Sequence, residues 1–474
     1  MKKIPEYLVA KFPMHPLTLA AILISLLFIT AGSIVSIHRF WQFDVFYYDF
    51  GIFDRAIWQV SHFMPPIIEH IGVPGKWIFA DHFNPSIFLL SPLYWLTDKP
   101  EVLLLVQATA AGLAGLVIFF TAIEVLKNRY YSLVIMLSFY LFIGLQNAII
   151  TDFHEATVAT LPLSFCFYFI VKKRLVPYII FLLVLLGFKE SMALLGLALS
   201  ITILYLEPSW KKISLLTAVI SILWGFLALK IIIPYYSGGS YAYGDSIQLN
   251  PVTMIQSFTN NPIKFHTMFY SFLSFGFLPL FAPGFWLLIF EDFYTRFITI
   301  SNAARSGLSF HYSALLSVIM GVSSIYGLKF IRRLLPNKII VCIVSLSLLT
   351  NLFLYRVTFH GPLALAYNPD FYRHSSEFGF LDSLVNKIPT SASIMTQNNL
   401  LVRFTHHKNI WLLRDNYEDY MPDYIVLDLR PGQNPNNFFG PIKNIDSFFT
   451  RLKNDVRYKI VYKTDFQYIF RHDQ

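Results

Sequence analysis

The sequence is poor in cysteine and poor in charge. Its 474 residues hold two cysteines, Cys166 and Cys342, each inside an apolar run. That excludes a disulfide framework and a CxxC-type metal site. Lys, Arg, Asp and Glu make up 14% of the chain, where a soluble protein has roughly a quarter. Also missing are a Walker A loop, a GxGxxG turn, a GxSxG elbow and an HExxH helix, so ATP-driven transport and the common soluble hydrolase chemistries have no support. What fills the sequence instead is apolar: 55% of residues are hydrophobic, with 47 Phe and 27 Tyr. These proportions exclude a soluble enzyme, a disordered chain and a fibrous repeat. They leave a polytopic membrane protein with a soluble appendage.

A charged start (Lys2, Lys3, Lys11) precedes an apolar run from Leu17 to about Ser36. At about 20 residues this run spans a bilayer and exceeds a signal-peptide core, so it reads as an uncleaved first helix. Residues 37–100 break the apolar pattern and read as a large first outer loop holding short helices. Further apolar segments follow at about 101–123, 130–150, 156–171, 175–188, 191–206, 213–233, 265–280, 282–300, 308–329 and 338–355. The expected fold is thus an all-α membrane domain over residues 1–355 with about eleven membrane helices. The pairs 175–188/191–206 and 265–280/282–300 are expected to be short or re-entrant hairpins, broken at Lys189-Glu190 and at Pro279–Gly284.

Charge gives the expected orientation. The N-terminus and the alternate short loops carry 14 basic residues against three acids, whereas the opposite segments carry 13 acids against nine basic residues. By the positive-inside rule the N-terminus is cytoplasmic and the acidic face is outside. The net charge of +9 is therefore a topology signal, and nucleic acid drops out as a partner. From Arg356 the apolar runs shorten to strand length: Ser393–Thr396, Ile410–Leu413, Tyr424–Leu429, Arg457–Lys463 and Phe466–Phe470. With a helical pattern at Ile445–Lys453, residues 356–474 read as a small extracytoplasmic α/β domain.

Candidate chemistry sits on the outer face. Asp49, a few residues beyond the first helix, is a carboxylate able to take a proton from a hydroxyl or to coordinate a metal; the alternative is a solvated acid in an aromatic belt. His82, beside Asp81, suits phosphate or a divalent metal, or a plain hydrogen-bonded pair. The turn Asp152-Phe153-His154-Glu155 groups three ionisable side chains, which become an acid or metal site if the turn dips into a cavity shared with Asp49. Lys189-Glu190 interrupts an otherwise apolar stretch, and ionisable groups there are costly and usually functional. Lys189 would hold a lipid phosphate with Glu190 orienting it, or the two would form a structural ion pair. Arg305 and His311 suit a phosphate or pyrophosphate leaving group, although snorkelling to headgroups explains Arg305 as well.

Read together, several stretches are recognisable. They are Tyr48-Asp49-Phe50-Gly51-Ile52-Phe53-Asp54-Arg55-Ala56-Ile57-Trp58, His82-Phe83-Asn84-Pro85, Asp152-Phe153-His154, Lys189-Glu190, Phe281-Ala282-Pro283 and His311-Tyr312-Ser313-Ala314. With Asn399-Leu400-Leu401-Val402-Arg403 and Asp423–Asp428 they resemble the prokaryotic family of predicted membrane proteins known as domain of unknown function 2079. Arg55 stands where that family more usually has Gln. The family is similar to the C-type (GT-C) glycosyltransferase superfamily, whose members use polyprenyl-phosphate-linked sugars at the outer membrane face. The resemblance implies a multi-pass protein of a prokaryotic plasma membrane, with catalytic Asp49 and a second outer acid at Asp152 or Glu155. The substrate contacts expected from the residues' own chemistry are His82, His154, Lys189, Glu190, Arg305 and His311. A polyprenyl-phosphate sugar donor, membrane lipid and an outer-face glycan, lipid or protein acceptor are the expected partners. A divalent cation, if used, would fall to Asp49, Asp152 and His154. The competing readings are a transporter or lipid flippase, with paired broken helices around a midplane site, and a non-catalytic scaffold.

Overall fold

The structure is a computed structural model that describes residues 15–70, 72, 76–239, 241–242, 250–298 and 303–473. Lys2, Lys3, Lys11, Asp245 and Asn302 lie outside these residues. Each of the eleven apolar segments holds a helix. Five helical stretches are long and apolar enough to cross a membrane: Pro16–Trp41, Glu101–Leu126, Pro208–Ser237, Ala304–Ile331 and Asn337–Thr358. A sixth results if Arg129–Leu141 and Ile143–Ile150, bent by 51°, are one span. The others are shorter, among them Leu175–Leu186, Met192–Leu206, Pro262–Ser274 and Trp286–Phe297. The eleven segments are therefore helical, but only about half have the length of a full span.

Small residues let these helices approach. A Cβ added at Gly112 would collide with Ile29, and one at Gly115 with Tyr140. Tyr140 Oη uses this closeness, bonding Ser25 Oγ and donating to the Gly112 carbonyl, both at 2.6 Å. Close backbones joined by polar side chains are how helices associate where lipid removes the hydrophobic drive.

The pair 175–186/192–206 folds back as a hairpin. Lys173 Nζ, before the first helix, lies 2.8 Å from Glu207 Oε2, after the second. The second pair does the same, with Lys264 Nζ donating to the Phe297 carbonyl at 2.6 Å. The basic loops gather at one end of the bundle. There Glu124 pairs with Lys127 at 3.3 Å and Lys172 at 2.9 Å, and Arg332 donates to the Leu126 carbonyl.

After the last long helix the chain forms a five-stranded sheet: β1 (Ile394–Thr396), β2 (Ile410–Leu412), β3 (Tyr424–Asp428), β4 (Tyr458–Lys463) and β5 (Gln467–His472), in the order β2-β1-β3-β5-β4. The β1–β2 and β1–β3 pairs are parallel, and β5 runs antiparallel to β3 and β4. Alternation along β3 covers both faces, as a central strand requires. Ile425 and Leu427 pack with Phe448 and Leu452 of the Ile445–Lys453 helix, and Val426 joins the large core shared with the bundle.

That shared core is fastened by polar anchors. The Arg55 guanidinium donates to the carbonyls of Ile67, Thr405, His407 and Lys408 at 2.7–3.0 Å. Asp54, fully buried, accepts from Tyr94 and Thr405 and lies 3.1 Å from His406 Nε2. The first loop and the C-terminal sheet are thereby one packed body around the bundle end opposite the basic loops.

Candidate active site

At that opposite end lies a cavity of about 330 Å³, within the range of small-ligand sites. The first outer loop supplies Tyr48, Asp49, His70, Asp81 and His82 to its wall. The broken hairpin supplies Lys189 and Glu190, and His154, Arg305, His311 and Tyr312 complete the polar lining. Of the nine sequence candidates, seven thus face one space.

Asp49 sits in a tight turn with φ 84° and ψ −82°, a region a non-glycine residue occupies only when its surroundings force it. Those surroundings are specific. The Tyr48 N–H is held by Asn398 Oδ1 at 3.1 Å, Phe50 is fully buried, and Tyr47 Oη accepts from the Glu69 N–H at 2.8 Å. Asn398 in turn donates to the Asn436 carbonyl at 3.0 Å, so the C-terminal unit braces the turn. Asp49 stays open to the cavity while protein encloses its other sides. Burial, followed by the negative Glu155, pushes its carboxyl up to about 6, against the opposing pull of Lys189 and His82.

The second wall follows from a helix that cannot continue. Past Leu186 the chain breaks at Gly187, where a Cβ would strike Ser86. Ser86 satisfies the broken end: its N–H donates to the Gly187 carbonyl and its hydroxyl to the Val184 carbonyl, both at 2.8 Å. Lys189 and Glu190 are thereby presented at the hairpin tip. Glu190 Oε1 accepts from Tyr241 Oη at 2.7 Å and lies 2.9 Å from His82 Nδ1, while its Oε2 accepts the Phe83 N–H. Burial is the largest influence on His82 and works against its charge, yet Asp81 and Glu190 together hold it above its ordinary value. Glu190 therefore grips His82, and not its neighbour Lys189 as an orienting partner.

Lys189 reaches elsewhere. Its Nζ lies 3.1 Å from Glu155 Oε1, and Glu155 Oε2 is 3.1 Å from His154 Nδ1. The His154 ring stacks on His311 with centroids 3.4 Å apart. Arg305 lies over the Tyr312 ring at 5.6 Å. Glu155, with no exposed surface, stands behind the wall. Asp152 also stands apart from the lining: its Oδ2 accepts the Phe46 N–H at 3.1 Å, and burial and then the Asp49 carboxylate hold it well above the usual carboxylate range. Its turn is locked by Gln107, which donates to the Asp152 carbonyl and accepts the His154 N–H at 2.7 Å. Asp152 and His154 are therefore each engaged elsewhere, at Phe46 and Glu155, while Asp49 faces the cavity. Among the described residues no three His, Cys, Asp or Glu side chains are grouped to hold a metal ion.

The cavity also holds residues that sequence reasoning passed over. Asp81 Oδ2 lies 3.4 Å from His70 Nε2 and 3.9 Å from His82 Nε2. Tyr48, His70, Tyr241 and Tyr312 complete the wall. Asp81 stands beside His82 in the sequence, and that adjacency is its available signal; Tyr241 gives none, because its contact with Glu190 spans 51 positions.

A family model described as "Predicted membrane protein (DUF2079)" matches residues 39–466. Comparison with curated proteins gives no match. Among solved structures the chain is similar to ArnT from Cupriavidus metallidurans bound to undecaprenyl phosphate. The identity is 12% and the TM-score 0.50, with 95% of this chain and 97% of that chain covered. The apo state of ArnT from the same organism aligns at 12% identity and a TM-score of 0.43, over 95% of this chain and 98% of that one. The likeness to the lipid-bound structure is one of fold.

Proposed function

The chain belongs to the DUF2079 family of predicted membrane proteins, and from that premise we propose that it is a membrane glycosyltransferase using a polyprenyl-phosphate-linked sugar. The observation that carries this reading is the pairing, in one cavity, of a carboxylate poised near neutrality with cations: Asp49 across from Lys189, Arg305 and His82. A sugar phosphate needs both. Asp49 accepts the proton of the acceptor hydroxyl as its oxygen attacks the anomeric carbon. The bond from that carbon to the phosphate oxygen breaks, and the lipid phosphate leaves with the charge that Lys189 and Arg305 stabilise. Inversion at the anomeric carbon follows from direct displacement. The ArnT structure of similar fold was solved with undecaprenyl phosphate, a ligand of the class this reading invokes.

In this reading Glu155 and Asp152 act through their neighbours: Glu155 fixes Lys189, and Asp152 holds the backbone at Phe46, upstream of Asp49. The N-terminus is cytoplasmic, the C-terminal sheet is extracytoplasmic, and the cavity opens at the outer face. The test supplies purified protein in lipid nanodiscs with a panel of undecaprenyl-phosphate sugars and cell-envelope acceptors, and measures release of undecaprenyl phosphate. Transfer is expected with one donor and is lost in Asp49→Asn. A folded Asp49→Asn protein with full transfer would remove Asp49 from the mechanism, and lipid translocation without bond cleavage would replace the enzyme with a flippase.

A further inference from the structure

A second cavity, of about 320 Å³, lies where the chain after the first helix meets the C-terminal unit. Its chemistry differs from that of the first. Each charge on its wall is already matched: Arg430 is bidentate on Asp428 at 2.9–3.1 Å, Asp44 lies 2.8 Å from Arg39, and His374 is 2.9 Å from Glu377. No net charge is left to select a phosphate. What remains are carboxamides. Gln42 spends its Nε2 on the Phe371 carbonyl and Ser375, leaving Oε1 to accept. Asn399 accepts from Gln397, leaving Nδ2 to donate. Asn434 accepts the Asn436 N–H, leaving its Nδ2, and Asn437 donates to Gln433, leaving an Oδ1 that has no partner.

Two open donors and one open acceptor therefore line a cleft whose accessible apolar surface comes from Phe378, with Phe43 and the enclosed Asn437 Oδ1 behind them. Vicinal hydroxyls present one donor and one acceptor apiece to such amides, while the C–H face of a pyranose covers an aromatic ring. We infer that this cleft binds a neutral glycan. It adjoins the first site through the chain: Asn399 follows Asn398, the residue that holds the Tyr48 N–H beside Asp49. That the bound glycan is the acceptor rests on the transferase reading; that it binds does not.

The test uses full-length protein in nanodiscs on an array of neutral, uronic and sulfated oligosaccharides. Neutral glycans are expected to bind, with affinity falling about tenfold in Asn399→Ala and in Asn434→Ala, the loss of one amide contact. Asn434 is exposed at the rim, so its variant reads the site even if Asn399→Ala does not fold. Binding of anionic glycans alone, binding of none, or neutral binding indifferent to both substitutions would each overturn the inference. Neutral binding without transfer would leave it standing and sink only the transferase reading.

Discussion

Lys189 Nζ lies 3.1 Å from Glu155 Oε1, joining the tip of a broken hairpin to the start of a helix 34 positions earlier in the chain. Glu155 has no exposed surface, whereas Lys189 opens to the cavity. The pair is therefore a fixed carboxylate holding a reachable ammonium. Replacing Glu155 by Gln leaves the ammonium half-desolvated and free to swing. Loss of one partner of a buried pair costs about 3–5 kcal/mol, and the cavity opening puts this case near the lower end. The expected result is a lower melting temperature and weaker binding of a polyprenyl phosphate, measured by calorimetry and a lipid-binding titration. Unchanged lipid affinity would show that Lys189 does not meet the phosphate.

The Asp49 carboxyl titrates at about 6 in the folded protein against 3.8 in a free chain. As the base of the proposed transfer it must be ionised, so transfer should rise through about pH 6, not through pH 4 as an ordinary carboxylate would give. Asp49→Asn is expected to lower transfer by about 10²–10⁴, the usual worth of a general base. Stability runs the other way. Between the two values the folded protein holds more protons than the unfolded chain, so Asp49's contribution is full below about pH 4 and is lost as pH rises through about 6. The carboxamide of Asp49→Asn has no charge to desolvate. The variant should melt higher than the parent at pH 7.5, with the gap closing by pH 4. A gap that widens on acidification would contradict the raised value.

Arg55 shows why a sequence position resists reading. Its four carbonyl acceptors lie on two segments, Ile67 and Thr405–Lys408. Gln, the usual family residue in the resemblance, has two amide donors and a shorter reach. Arg55→Gln should therefore loosen the C-terminal unit from the first loop, at a cost of about 3 kcal/mol for two charge-assisted bonds. Faster limited proteolysis between residues 356 and 392 and reduced transfer are the measurements. Arg55→Lys should not rescue either, because one ammonium cannot reproduce a planar fork. Rescue by Lys would reduce Arg55 to its charge.

Periodicity and interruption were the legible signals. The five strands and the Ile445–Lys453 helix lie within two residues of the pattern because a short, nearly continuous apolar run is what burying both faces of a central strand such as β3 demands. Lys189-Glu190 marked its hairpin tip because two charges cannot continue an apolar helix. The Lys173–Glu207 contact then closes the hairpin that the basic loops required. Partner choice was not legible. Adjacency suggested that Glu190 orients Lys189, yet Glu190 takes His82 and Lys189 takes Glu155, because neighbours at a helix break point to different sides. Asp152, a candidate second outer acid, does not line the cavity: its Oδ2 accepts the Phe46 N–H instead. The helix Pro251–Thr259 was also missed, its apolar content being too low to separate from a loop.

The gathering of basic loops at one end of the bundle and of the cavity at the other predicts their sides. Lys-rich short loops stay cytoplasmic, so the cavity and the sheet should face outward. The test needs only one reactive thiol at a time. Cys342 is exposed and is first replaced by Ser, while Cys166 is buried and silent. Leu334→Cys, beside Arg332 and Arg333 and 64% exposed, should react with a membrane-impermeant maleimide only after cells are opened. Val456→Cys, 91% exposed before β4, should react in intact cells. Labelling of both in intact cells would report leaky membranes, which a cytosolic marker protein detects independently. The reverse pattern would put Asp49 on the cytoplasmic side. A lipid-linked sugar presented at the outer face would then be out of its reach, and a cytoplasmic donor such as a sugar nucleotide would become the substrate to test.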